Sequence, residues 1–169
     1  MAQSSASIST AENGLGMEVA FTRTFDAPRR LVFKVWTDPK HLAAWWGPHR
    51  FTNPRCEWDA RPGGGIHIDM RGPDGHIYPM SGRFREVVEP ERLVFISAAL
   101  DESGKPIFEV LNTVTFAESG GKTILSLTAR VITSTPNAPQ YLQGMEIGWT
   151  QSLERLAAQV DKALSTGRA

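Results

Sequence analysis

The sequence predicts an α+β domain, one antiparallel sheet covered by one long C-terminal helix, and three observations carry that reading. From Phe51 to Val131 apolar and polar residues alternate in run after run, separated by Gly, Pro and Asp clusters. That is the period of half-buried strands joined by hairpins. After Thr135-Pro136-Asn137 the period changes, and Leu142, Met145, Trp149, Leu153, Leu156 and Val160 step by three and four in one helical stripe. Finally, 169 residues suffice for one core that buries roughly 70% of the unfolded surface, and are too few for two ordinary domains.

Charge narrows the function. Lys plus Arg (18) equals Asp plus Glu (18), so the net charge is zero. No long-range field then favours nucleic acid, an anionic membrane or an acidic ligand, and any partner must be recognised locally. The single cysteine, Cys56, excludes an intramolecular disulfide. MAQSSASISTAENG, at the N-terminus, lacks the basic and apolar regions of a signal peptide. No window approaches the run of about 18 apolar residues that a membrane helix requires. A cytoplasmic protein is expected, with residues 1–16 as a flexible, Ser/Ala/Gly-rich tail and residues 17–164 as a single domain.

Met17, Val19, Phe21 and Phe25 share one parity and Glu18, Thr22 and Thr24 the other, a half-buried strand in which Arg23 is the exception. Asp26 and Pro28 then signal a short helix carrying Leu31, Val32, Val35 and Trp36 at helical spacing. Asp38-Pro39 repeats the signal for a second short helix, which Gly47-Pro48 stops just after Trp45 and Trp46. The following strands break at 61–65, 72–75, 89–91, 101–106 and 119–121, which makes about six of them.

One turn permits a register test. Pro73-Asp74-Gly75 suits a three-residue hairpin loop with glycine in the left-handed position. Met70 then faces Tyr78, Ile68 faces Met80 and Ile66 faces Gly82. In that register Ile66, Ile68, Met70, Tyr78, Met80 and Phe84 fall on one face, and His67, Asp69, Arg71, Arg83 and Arg85 on the other. Parity likewise turns Leu125, Leu127, Ala129 and Val131 inward, along with Phe108, Val110, Val114 and Phe116, with Asn112 as a polar intruder.

Asn137 is the expected N-cap, and Pro139 fits the first turn, of a helix reaching about Leu164. Gly144, Gly148 and Ser152 form a small-residue strip beside its apolar stripe. Each glycine costs about 1 kcal/mol against alanine inside a helix, so close approach to something is the expected reason for two of them.

Several blocks of this chain resemble those of a known family. FDAPRRLVFKVWTDPKHLAAWWGP, EWDARPGG, RGPDG, YPMSGRFREVVEPERLVF and GMEIGWTQSLERL, in that order over residues 17–163, look like the signature blocks of the activator of heat-shock protein 90 ATPase homologue family. That family lies in the START-like, Bet v-like helix-grip superfamily, also called SRPBCC. The resemblance implies a helix-grip fold: a curved sheet wrapped on the long helix, two short helices closing one end, and a cavity between them that carries the function. Fold alone names no reaction.

His67 and Asp69 share a solvated face, and His41 and His49 flank a turn without partners at ligand spacing, so no metal and no cofactor are expected. Cys56 lies in a strand without a nucleophile signature and reads as a small hydrophobe. Gly63-Gly64-Gly65 lacks the Lys-Ser/Thr ending of a phosphate loop. Arg23 and Glu86 sit on apolar parity, where an unpaired charge is costly. Each should therefore be paired, with the other or with Glu57, Asp59 or Arg61, unless it serves as a polar group in the cavity.

The remaining signal is aromatic and sulfurous. Trp45, Trp46, Phe51, Trp58, Ile68, Met70, Tyr78, Met80, Phe84, Asn112, Met145 and Trp149 are the expected cavity lining, although any such set can equally be core. A void costs about 20 cal/mol per Å² of its surface, so a cavity that is kept open implies a ligand. Aromatic walls with few polar groups favour a small, flat, largely apolar molecule. The leading expectation is non-catalytic binding of such a molecule. A second is an enzyme of the polyketide cyclase or hydrolase type found among superfamily members, which needs Glu86, Arg23, Tyr78 or a histidine in the cavity. A third, less favoured, is the chaperone-activating role that the family name suggests. A homodimer through strand edges or outer helix faces is compatible with the pattern. Of the adjacent tryptophans, one should form cavity wall and the other cover the rim, together acting as a gate.

Overall fold

The computed structural model describes residues 13–166, arranged as β1 (Glu18–Phe25), α1 (Arg29–Thr37), α2 (Pro39–Trp45), β2 (Thr52–Trp58), β3 (Gly65–Arg71), β4 (Ile77–Val88), β5 (Arg92–Leu100), β6 (Pro106–Ser119), β7 (Lys122–Ser134), α3 (Pro139–Leu142) and α4 (Met145–Thr166). One seven-stranded antiparallel sheet runs in the order β1-β7-β6-β5-β4-β3-β2. The long α4 and the paired short helices α1 and α2 pack on its inner face, the architecture of a helix grip. Most of the expected tail, residues 1–12, lies outside the described residues. Gly16 N–H donates to the Val131 carbonyl (2.9 Å) and extends the β1–β7 ladder. Among the described residues no helix is long and apolar enough to cross a membrane.

Hairpin chemistry sets the register. Gly75 adopts φ 90° and closes the three-residue loop with a bond from its N–H to the Gly72 carbonyl (2.9 Å). β3 and β4 therefore pair Met70 with Tyr78, Ile68 with Met80 and Ile66 with Gly82, as the loop length dictates. Gly82 has a steric reason to be glycine, because a Cβ there would stand 1.9 Å from the Ile96 carbonyl oxygen. The strand can bend against β5 only without a side chain at that point.

Capping of the short helices departs from expectation in one case. Asp38 caps α2 as predicted, its Oδ1 accepting from Lys40 N–H at 2.9 Å with Pro39 in the first turn. Asp26 does not cap α1; the N-cap is Pro28, which has no side-chain acceptor. The orphan Arg29 N–H donates instead to Glu118 Oε1 (3.0 Å) at the end of β6, placing a carboxylate at the positive end of the helix.

The C-terminal helix is also not continuous. Gly144 N–H bonds back three residues to Tyr141 (3.3 Å), and regular four-residue bonding resumes when Gly148 N–H reaches Gly144 O (2.8 Å). Glycine's backbone freedom makes that junction the weak point, so the predicted helix divides into α3 and α4. Asn137 is not its cap: Ala138 takes that place without a side-chain bond, and Asn137 stays exposed.

Two apolar clusters result. The larger surrounds Trp36, Trp45, Trp58, Phe84, Phe95 and Phe116 beneath α1, α2 and the C-terminal half of α4. The smaller gathers Ile107, Val110, Ala129, Val131, Ala138 and Leu142 beneath α3. Trp149 touches both. Where the two clusters part, the inner face of the sheet is left uncovered.

Candidate ligand groove

The gap is a groove of about 990 Å³. One wall is the α2–β2 turn (Trp46, Gly47, Pro48) with Phe51. The sheet contributes Met70, Tyr78, Met80, Ser97, Val110 and Asn112, the α3–α4 junction Gly144, and the N-terminal half of α4 Met145, Gly148, Trp149 and Ser152.

The turn is fixed by a side chain on the opposite helix. Arg155 Nη1 donates to the carbonyls of Trp46 (3.0 Å), Gly47 (2.9 Å) and Pro48 (2.9 Å), and its Nη2 donates to Ala44 (3.2 Å). α2 has no basic residue in its last turn, so Arg155 supplies both the missing donors and the positive charge that a helix C-terminus favours. Burial lowers the guanidinium's pKa, yet arginine remains charged at any physiological pH. Gly47, at φ 97°, lets the chain reverse beneath it. His41, His49 and Asn53 complete the bracing. Gln159 bonds His41 (2.9 Å), Glu154 pairs with His49 (2.9 Å), and Asn53 Nδ2 donates to Ala43 (3.0 Å) and Trp46 (2.9 Å).

The two adjacent tryptophans therefore do different work, and neither covers an open rim. Trp45 is wholly buried, its indole N–H donating to Val35 O (3.1 Å) and its ring meeting Trp36 edge-on at 4.7 Å. Trp46 is the groove wall, held between Trp58 (5.4 Å) and Trp149 (5.4 Å, nearly perpendicular). Its backbone carbonyl is held by Arg155.

Of the twelve expected lining residues the structure brings eight together: Trp46, Phe51, Met70, Tyr78, Met80, Asn112, Met145 and Trp149. Trp45, Trp58, Ile68 and Phe84 lie outside the groove, in the larger cluster beneath the short helices. Neither Arg23 nor Glu86 reaches the groove. A β-bulge at Arg85 makes Phe84 pair with Phe95 and Glu86 with Val94. The extra residue reverses parity, so Val87 packs inward and Glu86 turns outward. Glu86 pairs with Arg92 (3.1 Å), while Glu57 pairs with Arg55 (2.9 Å) and Asp59 with Arg61 (2.8 Å), so the anticipated pairings do not form. Arg23 stays half-buried opposite Leu125. His67 bonds Asp69 (3.1 Å) on the outer face. Cys56 packs against the core, and burial pushes its thiol pKa up to about 11.

Asn112, 1% exposed, is the polar point of the floor. Its Nδ2 lies 3.3 Å from the carbonyls of Phe95 and Val110 and 2.9 Å from Ser97 Oγ. Two carbonyl acceptors fix which end of the amide carries the hydrogens. Oδ1 is left without a donor among the described residues, and Ser152 Oγ, on the helix above, also has no partner there. The fully enclosed orphans are Trp36 Nε1 and Asn53 Oδ1, so the Asn112 and Ser152 oxygens keep access to the groove. The titratable groups of the lining, His76, Tyr78, Asp101, Glu102 and Tyr141, are all exposed at the mouth.

Ser97, Ser152, Gly144 and Gly148 also line the groove, although parity and hydrophobic period do not single them out as lining. The small-residue strip was the available signal. A Cβ on Gly148 would meet only Pro48 Cγ at 4.0 Å, and one on Gly144 only the Tyr141 carbonyl oxygen at 3.9 Å. These glycines border empty space rather than a tight protein contact.

Comparison with known proteins agrees with this geometry. The chain is similar to the crystal structure of protein CV1439 from Chromobacterium violaceum, with 29% identity and TM-score 0.72 over 85% of this chain and 96% of that one. Protein NE0264 from Nitrosomonas europaea is similar at 25% identity and TM-score 0.74, over 92% and 98%. The AHSA1 protein of Silicibacter pomeroyi is similar at 25% identity and TM-score 0.74, over 85% and 97%. No functionally curated protein matches the chain. Residues 26–161 match the family described as Activator of Hsp90 ATPase homolog 1-like protein. With the helix-grip architecture and the ordered sequence blocks, that match identifies the chain as a member of this family, within the Bet v-like SRPBCC superfamily.

Proposed function

We propose that the protein binds a small, largely apolar molecule in the groove and does not transform it. The observation that carries this reading is the groove itself: about 990 Å³ walled by Trp46, Trp149, Phe51 and Met80, and not filled by the protein's own side chains. Exposed apolar wall is costly, and its burial by a ligand recovers roughly 25 cal/mol per Å². Rigidity supports binding as well, because the Arg155 clamp fixes the wall before any ligand arrives. The floor offers an amide and hydroxyls, and the groups that could act as acid or base stand exposed at the mouth, away from the buried end of the groove.

Native mass spectrometry of protein purified from its own host should show an adduct that denaturation releases. Titration with the neutral dye N-phenyl-naphthylamine should quench the emission of Trp46 and Trp149 saturably, at one dye per chain. Absence of both the adduct and a saturable response would rule the reading out.

A further inference from the structure

We infer that the groove selects a neutral ligand whose buried end donates a hydrogen bond, a phenol or an alcohol, against one that ends in a carboxylate. This rests on the binding reading above and adds the chemical class of the ligand. Three observations converge on it.

One buried polar atom of the groove lining, Asn112 Oδ1, can only accept. Its amide nitrogen is committed to Phe95 O, Val110 O and Ser97 Oγ, which prevents the amide from turning over to present hydrogens. A buried acceptor without a donor is costly, and a ligand hydroxyl placed there removes that cost, whereas an ether oxygen or a carboxylate adds repulsion. Ser152 Oγ, also without a partner among the described residues, lines the groove from α4, and its hydroxyl hydrogen is available to donate to the ligand's oxygen.

Among the described residues no lysine or arginine lines the groove, and His76 stands exposed at the mouth, so a carboxylate buried at the floor would find no counter-ion there. The nearest guanidinium, Arg155, is spent on four backbone carbonyls. The first turn of α4, which could otherwise attract an anion, already carries Glu146. At the mouth stand Asp101 and Glu102, both acidic. Asp101 Oδ1 accepts from Ser103 N, Ser103 Oγ and Lys105 N, which holds that carboxylate in the exposed 101–105 turn. Discrimination therefore falls to the floor.

The test is isothermal titration calorimetry at neutral pH with three probes of one body: para-phenylphenol, its methyl ether, and para-phenylbenzoate. The phenol is neutral there and the benzoate ionised. The phenol should bind about tenfold more tightly than the ether, and more tightly still than the benzoate. Asn112→Leu should bring the phenol-to-ether ratio close to one by weakening the phenol alone. Because that substitution also removes three internal bonds, Ser152→Ala serves as the second variant, with a fall of about threefold in the same ratio. Ether or benzoate binding as tightly as the phenol would overturn the selectivity and leave the binding reading standing, as would a ratio unmoved in both variants. Failure of all three probes to bind would remove both readings.

Discussion

Arg155 shows how one side chain can set a wall. Three carbonyl oxygens of the Trp46–Pro48 turn converge on a single guanidinium nitrogen, and a fourth, from Ala44, takes the other. Arg155→Met keeps the apolar stem but strands those acceptors. Water can rescue some of them, so a loss of about 2 kcal/mol is expected in urea denaturation. Arg155→Lys should recover only part of it, since a point ammonium cannot reproduce a planar fork. A loss below about 0.5 kcal/mol for the methionine variant, the ordinary range for surface changes, would show that the clamp is ornamental. Cys56 gives a pH signature at the same scale. Its folded pKa of about 11 lies above the roughly 8.5 of an unfolded thiol. The folded state therefore favours the neutral form. Its contribution to stability is full below about pH 8.5 and is lost as pH rises through about 11. Cys56→Ala should accordingly lose less stability than the wild type over that window, and parallel stability curves would refute the assignment. Single residues were the least legible part of the sequence. Nothing marks Arg155 among the polar residues of an amphipathic helix as a clamp, because its acceptors are backbone atoms more than a hundred positions away in the chain. Glu86 was misplaced for a different reason: one bulge residue reverses every parity that follows it.

At the scale of elements the sequence was far more legible, because loop chemistry and hydrophobic period act locally. The 73–75 loop alone set the β3–β4 register, and parity alone turned Leu125, Leu127, Ala129 and Val131 into the core. The long helix is the instructive exception. Its apolar stripe runs unbroken through Leu142 and Met145, yet glycine at 144 ends one helix and begins another, and the strip of small residues serves the groove instead of packing. Gly148 makes the trade measurable. A Cβ there fits without collision, its nearest neighbour being Pro48 Cγ at 4.0 Å. Gly148→Ala should thus raise stability by about 0.5–1 kcal/mol through helix propensity, while narrowing the groove between α4 and Pro48. The expected pair of results is a higher melting temperature and weaker binding of para-phenylphenol. A variant that is more stable and binds as well as the wild type would mean that ligands do not pass beside Gly148.

The whole molecule has one end that is packed and one that is open, and its dynamics should follow. Every buried residue of α4 lies at or after Ser152, and the side-chain ties to α2 and the α2–β2 turn come from Gln151, Glu154, Arg155 and Gln159. The first turns of the helix, with Glu146 and Ile147 exposed, reach across the groove with Trp149 as their main apolar anchor. Opening free energy tracks buried contact, so amides of residues 148–151 should exchange hydrogen faster than those of 156–163, although both lie in one continuous helix. Propensity alone predicts the reverse of such a divide only near a frayed end, so the comparison must be made inside the hydrogen-bonded stretch that starts at Gly148. A ligand that spans from Asn112 to α4 would supply the missing contact from below. Saturating para-phenylphenol should then slow exchange over residues 148–151 and along β4 near Tyr78 and Met80, with little change over 156–163, which the closed core already protects. Uniform protection of the entire helix would instead mean that binding raises global stability by mass action, without the local bracing that a divided core implies.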